Sequence, residues 1–480
     1  MMQEDIHELN SIEEIKNEPG FNEDLAPTTL KQRTWNKWHI ASLWVGMSIC
    51  IPTYTLGGIL TAYFGLSVME ALFTIFIANV VVLIPLCLNA IPGTKYGIPF
   101  PVLLRSSFGI KGSNIPALVR AVVACGWFGI QTMFGGLAID ILFDNLIPGW
   151  ENLGGYGQVI GFFIFWTLNI YVVLKGSESI KILETVSAPL LLIVSAVLLY
   201  WGSSVADLGQ VFGAPANRPE DAGFFGYFFA ALTAMVGFWA TLALNIPDFS
   251  RFAESQKAQI HGQIIGLPVT MFLFSALGVI MTGASVSIFG EAIADPVTLI
   301  GKLESGFVVV ILMIMIILAT ISTNTAANIV SPTNDFQNIS AKLIDRRRGV
   351  LMTGLVGILL MAWDLMRVAG IVSGDGLEGR YANWLLGYSS LLGPVAGIMI
   401  ADFFIVKKQE LEVTSLYKSQ GVHSGYNLNG IIAWGVPVIL AILGTFQDQG
   451  NLLRGLYDYG WFTGFLIGAV IYVILNRVNK

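Results

Sequence analysis

The chain has 480 residues, 54% of them hydrophobic and only 12% charged, with a mean hydropathy of +0.69 and a formal net charge of −6. Soluble domains carry about 25% charged residues, so a soluble enzyme and a nucleic-acid-binding domain are both excluded. Three scattered cysteines (Cys50, Cys87, Cys125) and four histidines (His7, His39, His261, His423) outside the apolar centres give neither a disulfide framework nor a metal cluster.

Residues 1–38 form an acidic tail with Glu4, Asp5, Glu8, Glu13, Glu14, Glu18, Glu23 and Asp24. It lacks the basic start and apolar stretch of a cleavable signal, and its composition predicts a mostly disordered cytoplasmic leader. Twelve apolar runs follow, near 40–63, 68–90, 116–143, 158–175, 184–202, 225–247, 265–288, 307–330, 350–366, 384–405, 429–446 and 459–477. Most approach the ~20 residues that cross about 30 Å of hydrocarbon. The predicted fold class is all-α integral membrane. Segment 91–115 is too polar to span, carries Pro92, Pro99 and Pro101, and is expected at the membrane surface.

Loop charges set the orientation. With the N-terminus inside, the outer segments hold only Arg218, Lys302, Arg367, Arg380 and Arg454 of 26 basic residues. Both termini are therefore expected on the cytoplasmic side. The first run carries Gly46 and Pro52, and the sixth carries Gly237 and Pro247. Interrupted helices five spans apart point to an inverted repeat with a midplane substrate site. Ordinary Pro/Gly kinks are the alternative.

Three constellations carry chemistry. In ATISTNTAANIVSP (319–332), Ser322, Thr323 and the Ala319 carbonyl one turn earlier end a greasy run. With carbonyls near Gly46 and Ile49 they could form the oxygen cage that a hard cation such as Na⁺ requires. Alternatively, the hydroxyls bond back to their own helix. Secondly, Trp127 and Trp239 could sandwich a flat ring, while Gln131 and Asn328 each offer a donor and an acceptor. Packing tryptophans and helix-gluing amides are the alternative. Trp201 and Trp461 read as interfacial anchors. Thirdly, Asp140, Asp248, Asp402 and Glu184 lie in or beside spans, where acids can relay protons. Asp248, Asp402 and Glu184 are expected near the inner interface in structural roles, leaving Asp140 as the proton candidate. No P-loop sequence supports ATP-driven transport. A channel remains open, without a filter-like repeat to support it.

The stretches GTKYGIPFPVLLRSSFGIKGSNIPALVRA, WFGIQT, WATLALNIPDFSRFAESQ, ATISTNTAANIVSP and LLGPVAGIMIADFF together resemble the nucleobase–cation symporter-1 family, in its hydantoin, allantoin and uracil branch. The resemblance implies a LeuT-type five-plus-five inverted repeat with two extra C-terminal helices. Its implied units are a tail (1–38), two repeats (39–202 and 203–405), and a loop with two helices (406–480). It implies import of a planar amide heterocycle by cation symport in the cell inner membrane, with Na⁺ as coupling ion and H⁺ as the alternative. No obligate protein partner is implied. By position, Trp127, Trp239, Gln131 and Asn328 would bind substrate. Gly46, Ile49 and Ala319 carbonyls with the Ser322 and Thr323 hydroxyls would hold Na⁺. Two positions depart from the sodium–hydantoin members. Cys50 replaces a site-facing amide, and Phe238 replaces glycine beside Trp239, its side chain expected to point elsewhere. The segment IVSGDGLEGR (371–380) looks like an extra stretch before the tenth span.

Overall fold

A computed structural model describes residues 6–9, 12–175, 177–219, 221–448 and 450–478, and the side chains of all of these except 177–188, 378 and 379. The described residues contain no strand. Eight helices are long and apolar enough to cross a membrane, and a bent pair, Lys37–Ser48 with Ile51–Ala62, makes a ninth crossing. Three shorter apolar helices, Pro189–Val205, Phe224–Phe238 and Leu428–Gly444, occupy the places of the fifth, sixth and eleventh predicted spans. The third span (Asn114–Leu146) is central, with its most apolar window 89% buried against 22% for the twelfth (Gly460–Val478).

Both expected breaks exist, each for a local reason. The first span bends by 59° at Ile49 and Cys50. Pro52, in the first turn of the new helix, has no N–H to lose there. The Cys50 amide donates to the Ser48 carbonyl, so the Gly46 carbonyl loses its usual helical donor. The sixth span stops at Trp239 (φ −92°, ψ 7°) and resumes as Ala240–Asn245. Pro247 is not the break; it opens a further short helix, Pro247–Ser250.

The first span packs on the seventh (Gln256–Phe289) through reciprocal glycines. A methyl group at Gly57 would lie 2.0 Å from the Ser275 carbonyl oxygen, and one at Gly278 would lie 1.9 Å from that of Tyr54. Such backbone-to-backbone approach is the usual advantage of small residues between membrane helices. Gly57→Val or Gly278→Val is expected to force these helices apart, at a cost of about 1–3 kcal/mol or more. The thermal midpoint of purified protein reads it, and wild-type melting of both variants would disprove the contact.

Two expectations fail here. The tail is not a disordered leader over its described part: residues 12–35 pack across one end of the helix bundle. Ile15 and Leu25 are fully buried. The Thr28 amide donates to the Gly97 carbonyl and the Trp35 amide to that of Phe252. The Asp24 carboxylate accepts from Gln337 Nε2 at 2.8 Å, and Tyr417 donates to the Leu25 carbonyl at 2.6 Å. Few but well-placed apolar residues, together with backbone pairing, outweigh the tail's acidic composition. Segment 91–115 is packed inside the protein: the second span (Val68–Tyr96) runs through Pro92, and the helix Phe100–Phe108 is buried along its whole length. Its Arg105 donates to Asn338 and to the Leu416 and Gly20 carbonyls. Burial lowers that guanidinium to about 10, still charged at neutral pH. Trp461 is not an interfacial anchor but is 2% exposed, its backbone against Gly393 of the tenth span (Leu377–Ile400).

Candidate functional site

Trp127 on the third span and Trp239 at the sixth-span break are both buried, as are Gln131, Phe238, Asn328 and Cys50. The two indoles do not pair directly among the described residues. The Phe238 ring touches both, with centroids 5.0 Å from Trp127 (72° between planes) and 5.0 Å from Trp239 (90°). The expectation that this side chain points elsewhere is therefore wrong. Edge-to-face packing on indole contributes about 0.5–1.5 kcal/mol beyond burial and draws the ring inward.

The polar residues of the eighth span (Gly306–Asn328) find partners on the third. Thr323 donates to Gln131 Oε1 at 3.1 Å, with the Thr320 carbonyl at 3.3 Å as the alternative acceptor. Asn324 donates to the Phe128 carbonyl at 3.2 Å and Asn328 to Asn324 Oδ1 at 2.9 Å. Among the described residues no partner meets Gln131 Nε2 or Asn328 Oδ1, which leaves a donor and an acceptor. Ser322, with Thr320, Thr325 and Ser48, has a buried hydroxyl without a partner among the described residues. Buried hydroxyls without partners cost free energy, so the set suits a ligand that supplies what the helices do not. The helix Lys37–Ser48 packs against the eighth span, although no described hydrogen bond joins Gly46 or Ile49 to it. Cys50 Sγ lies 3.2 Å from Thr53 Oγ, a contact within its own helix turn.

The tenth span supplies residues that sequence reasoning missed. Tyr381 and Tyr388 place their rings 5.6 and 6.3 Å from Trp127. Tyr381 donates to the Pro52 carbonyl at 3.2 Å and Tyr388 to the Gly237 carbonyl at 2.8 Å. One helix thus bonds to both broken spans. The signal was available: the two tyrosines are two turns apart on one face. Trp44 was also missed; its ring packs 5.2 Å from Trp239.

Farther along the same elements, buried polar contacts join the third and sixth spans to the stretch after the eighth. Arg120, two turns from Trp127, pairs with Asp335 at 3.1 Å, both side chains fully buried. Asn245 donates to Ser331 at 2.6 Å, and Ser331 donates to Asp248, which also accepts the Phe100 amide at 2.9 Å. These bonds tie the sixth span to the stretch that continues the eighth.

The membrane acids are held by protein partners. Asp248 and Asp402 are 5% and 2% exposed, and Asp402 accepts from Ser106 and Tyr472. Asp140 accepts from Trp150 Nε1 at 2.7 Å, beside the 147–154 loop and apart from the slot. The Glu184 side chain lies outside the described residues. In the 371–380 stretch, Arg380 pairs with Asp364 of the ninth span (Arg346–Val368), fastening the start of the tenth.

A family model described as permease for cytosine/purines, uracil, thiamine and allantoin matches residues 27–464. The chain belongs to this nucleobase–cation symporter-1 family of permeases. It is 40% identical to an allantoin permease of Bacillus subtilis, over 95% of this chain and 93% of that one. It is 38% identical to a purine-uracil permease of Arabidopsis thaliana, over 96% and 78%. Its fold is shared with the transporter Mhp1 in a closed conformation with bromovinylhydantoin bound (TM-score 0.78, 24% identity, 95% of each chain). A Na⁺-coupled sialic acid symporter shares it more distantly (TM-score 0.62, 13% identity, 93% and 91%). The protein is thus a multi-pass membrane permease with the five-plus-five inverted-repeat fold, and not an enzyme.

Proposed function

We propose that this permease imports a planar amide heterocycle of the uracil, allantoin or hydantoin type by symport with Na⁺, in the cell inner membrane, with both termini cytoplasmic and the repeats at 39–202 and 203–405. The observation that carries the reading is the hydrogen bond from Thr323 to Gln131. Thr323 stands in the candidate cation cage with Ser322, the carbonyls of Ala319 and Ile49, and the freed carbonyl of Gly46. Gln131 stands in the candidate substrate slot. A cation on the Thr323 oxygen leaves its proton directed at Gln131 Oε1 and so holds Nε2 toward the ring. Each ligand then favours the other, and linkage makes the coupling reciprocal. The ring stacks on Trp127 with Trp239 and Phe238 as the other walls, and Asn328 Oδ1 accepts from its N–H edge. Tyr381 and Tyr388 close the outer side, while the Asn245–Ser331–Asp248 bonds close the inner side and part when the broken helices rock.

The test is a tryptophan-fluorescence titration of purified protein with uracil, allantoin and hydantoin, with and without Na⁺. Severalfold tighter binding of one compound in Na⁺ supports symport and names the substrate. In Thr323→Ala, the Na⁺ response is expected to shrink to near nothing, and a full response would remove Thr323 from the cage. Binding that ignores Na⁺ and follows pH would instead favour proton coupling. The acids for that role would be Asp248 and Asp335 beneath the slot, since Asp140 lies beside the loop. Binding without concentrative uptake in vesicles would favour a sensor or a gated channel.

A further inference from the structure

The inner ends of the fourth span (Gly155–Lys175) and the ninth enclose a groove of about 430 Å³ that the transport cycle does not use. Its walls are Val173, Leu174, Arg346, Arg347 and Val350. The two arginines occupy the first turn of the ninth span, and Val350 lies one turn deeper. Val173 and Leu174 face them from the last turn of the fourth span. The groove is thus cationic at its mouth and aliphatic toward the membrane interior. Neither arginine forms an ion pair with a described acid. The flanking carboxylate, Asp345, is engaged in capping the helix, accepting the Arg348 amide at 2.8 Å. Cations at a helix N-terminus are disfavoured by the helix dipole, so this turn gains from an external anion. Membrane topology accounts for basic residues on the inner side, but not for a groove that joins two of them to an aliphatic floor.

We propose that this groove binds an anionic glycerophospholipid of the cytoplasmic leaflet. Its phosphodiester is held by Arg346 and Arg347, and an acyl chain lies along Val173, Leu174 and Val350. A second cleft shares Arg346 and Val350 and reaches Asp24 of the tail, Thr333 and Asn334. The headgroup therefore sits beside the strap that crosses the inner face. The inference rests on the orientation given above, and its test does not use substrate or cation.

Delipidated full-length protein would be offered equimolar phosphatidylglycerol and phosphatidylcholine, and retained lipid counted by native mass spectrometry. Wild type is expected to retain phosphatidylglycerol with a preference on the order of tenfold or more, as two basic side chains at an anionic headgroup provide. Arg346→Gln with Arg347→Gln should abolish the preference. Lys342→Gln with Arg348→Gln removes the same charge from residues that do not line the groove, and should keep it. Equal retention by wild type, or equal losses in both double variants, would overturn the site as a general charge effect. Displacement of the lipid by millimolar glycerol phosphate would overturn the lipid as occupant and assign the site to a soluble phosphate ester. Unchanged monodispersity of the variants keeps a folding defect apart from lost binding.

Discussion

Trp127→Ala is expected to abolish concentrative uptake. The indole lies at the centre of an aromatic group, with Phe238, Tyr381 and Tyr388 arranged edge-on around it. Stacking of a heterocyclic ring on an aromatic side chain contributes about 1–3 kcal/mol, or roughly 5- to 150-fold in affinity. Removing the ring also unseats both lid tyrosines, so closure fails together with binding. Trp127→Phe keeps a π-face and should retain an intermediate affinity. Calorimetric titration with the transported compound separates the two effects. Alanine would lose binding heat, while phenylalanine would keep it with a weaker constant. If Trp127→Ala binds and transports like wild type, the substrate does not stack there.

Arg120→Met is expected to be strongly destabilising. Both members of the Arg120–Asp335 pair are fully buried, and truncating one strands the other as a buried ionisable group without its partner, which costs about 3–5 kcal/mol. The hydrophobic double replacement, Arg120→Met with Asp335→Leu, removes both charges and should recover most of the lost stability. Thermal midpoints of the three variants in detergent decide it. Equal midpoints for the single and double replacements would mean that no stranded charge causes the loss. The recovered double variant then tests function separately. Uptake lost at normal stability would show that the pair serves the transport cycle as well as the fold.

Residues far apart in the chain explain why some of this was legible and some was not. The hydroxyl cluster at Ser322 and Thr323 stood out because polar groups at the end of an apolar run demand partners. The partner itself, Gln131, was visible only as a separate candidate on another span, 192 residues away. Tyr381 and Tyr388 carried a helical spacing but no oddity of composition, and their acceptors at Pro52 and Gly237 are distant. Phe238 stands beside Trp239 in the sequence, but its second partner, Trp127, is 111 residues away, and only packing brings the two rings together. The tail misled because low hydrophobicity was read over its whole length, whereas its order comes from a few buried residues and backbone pairing with Gly97 and Phe252.

By itself, then, the sequence determined the membrane class, the positions of the spans, the two breaks and the family. All of these are set within single segments, by hydropathy over about 20 residues and, at the first break, by a proline in the opening turn of the new helix. The tertiary structure alone decided which polar groups satisfy one another, which aromatic rings meet, and which elements they join. Those are contacts between helices, fixed by packing that brings distant residues within hydrogen-bonding reach, and no local pattern encodes them.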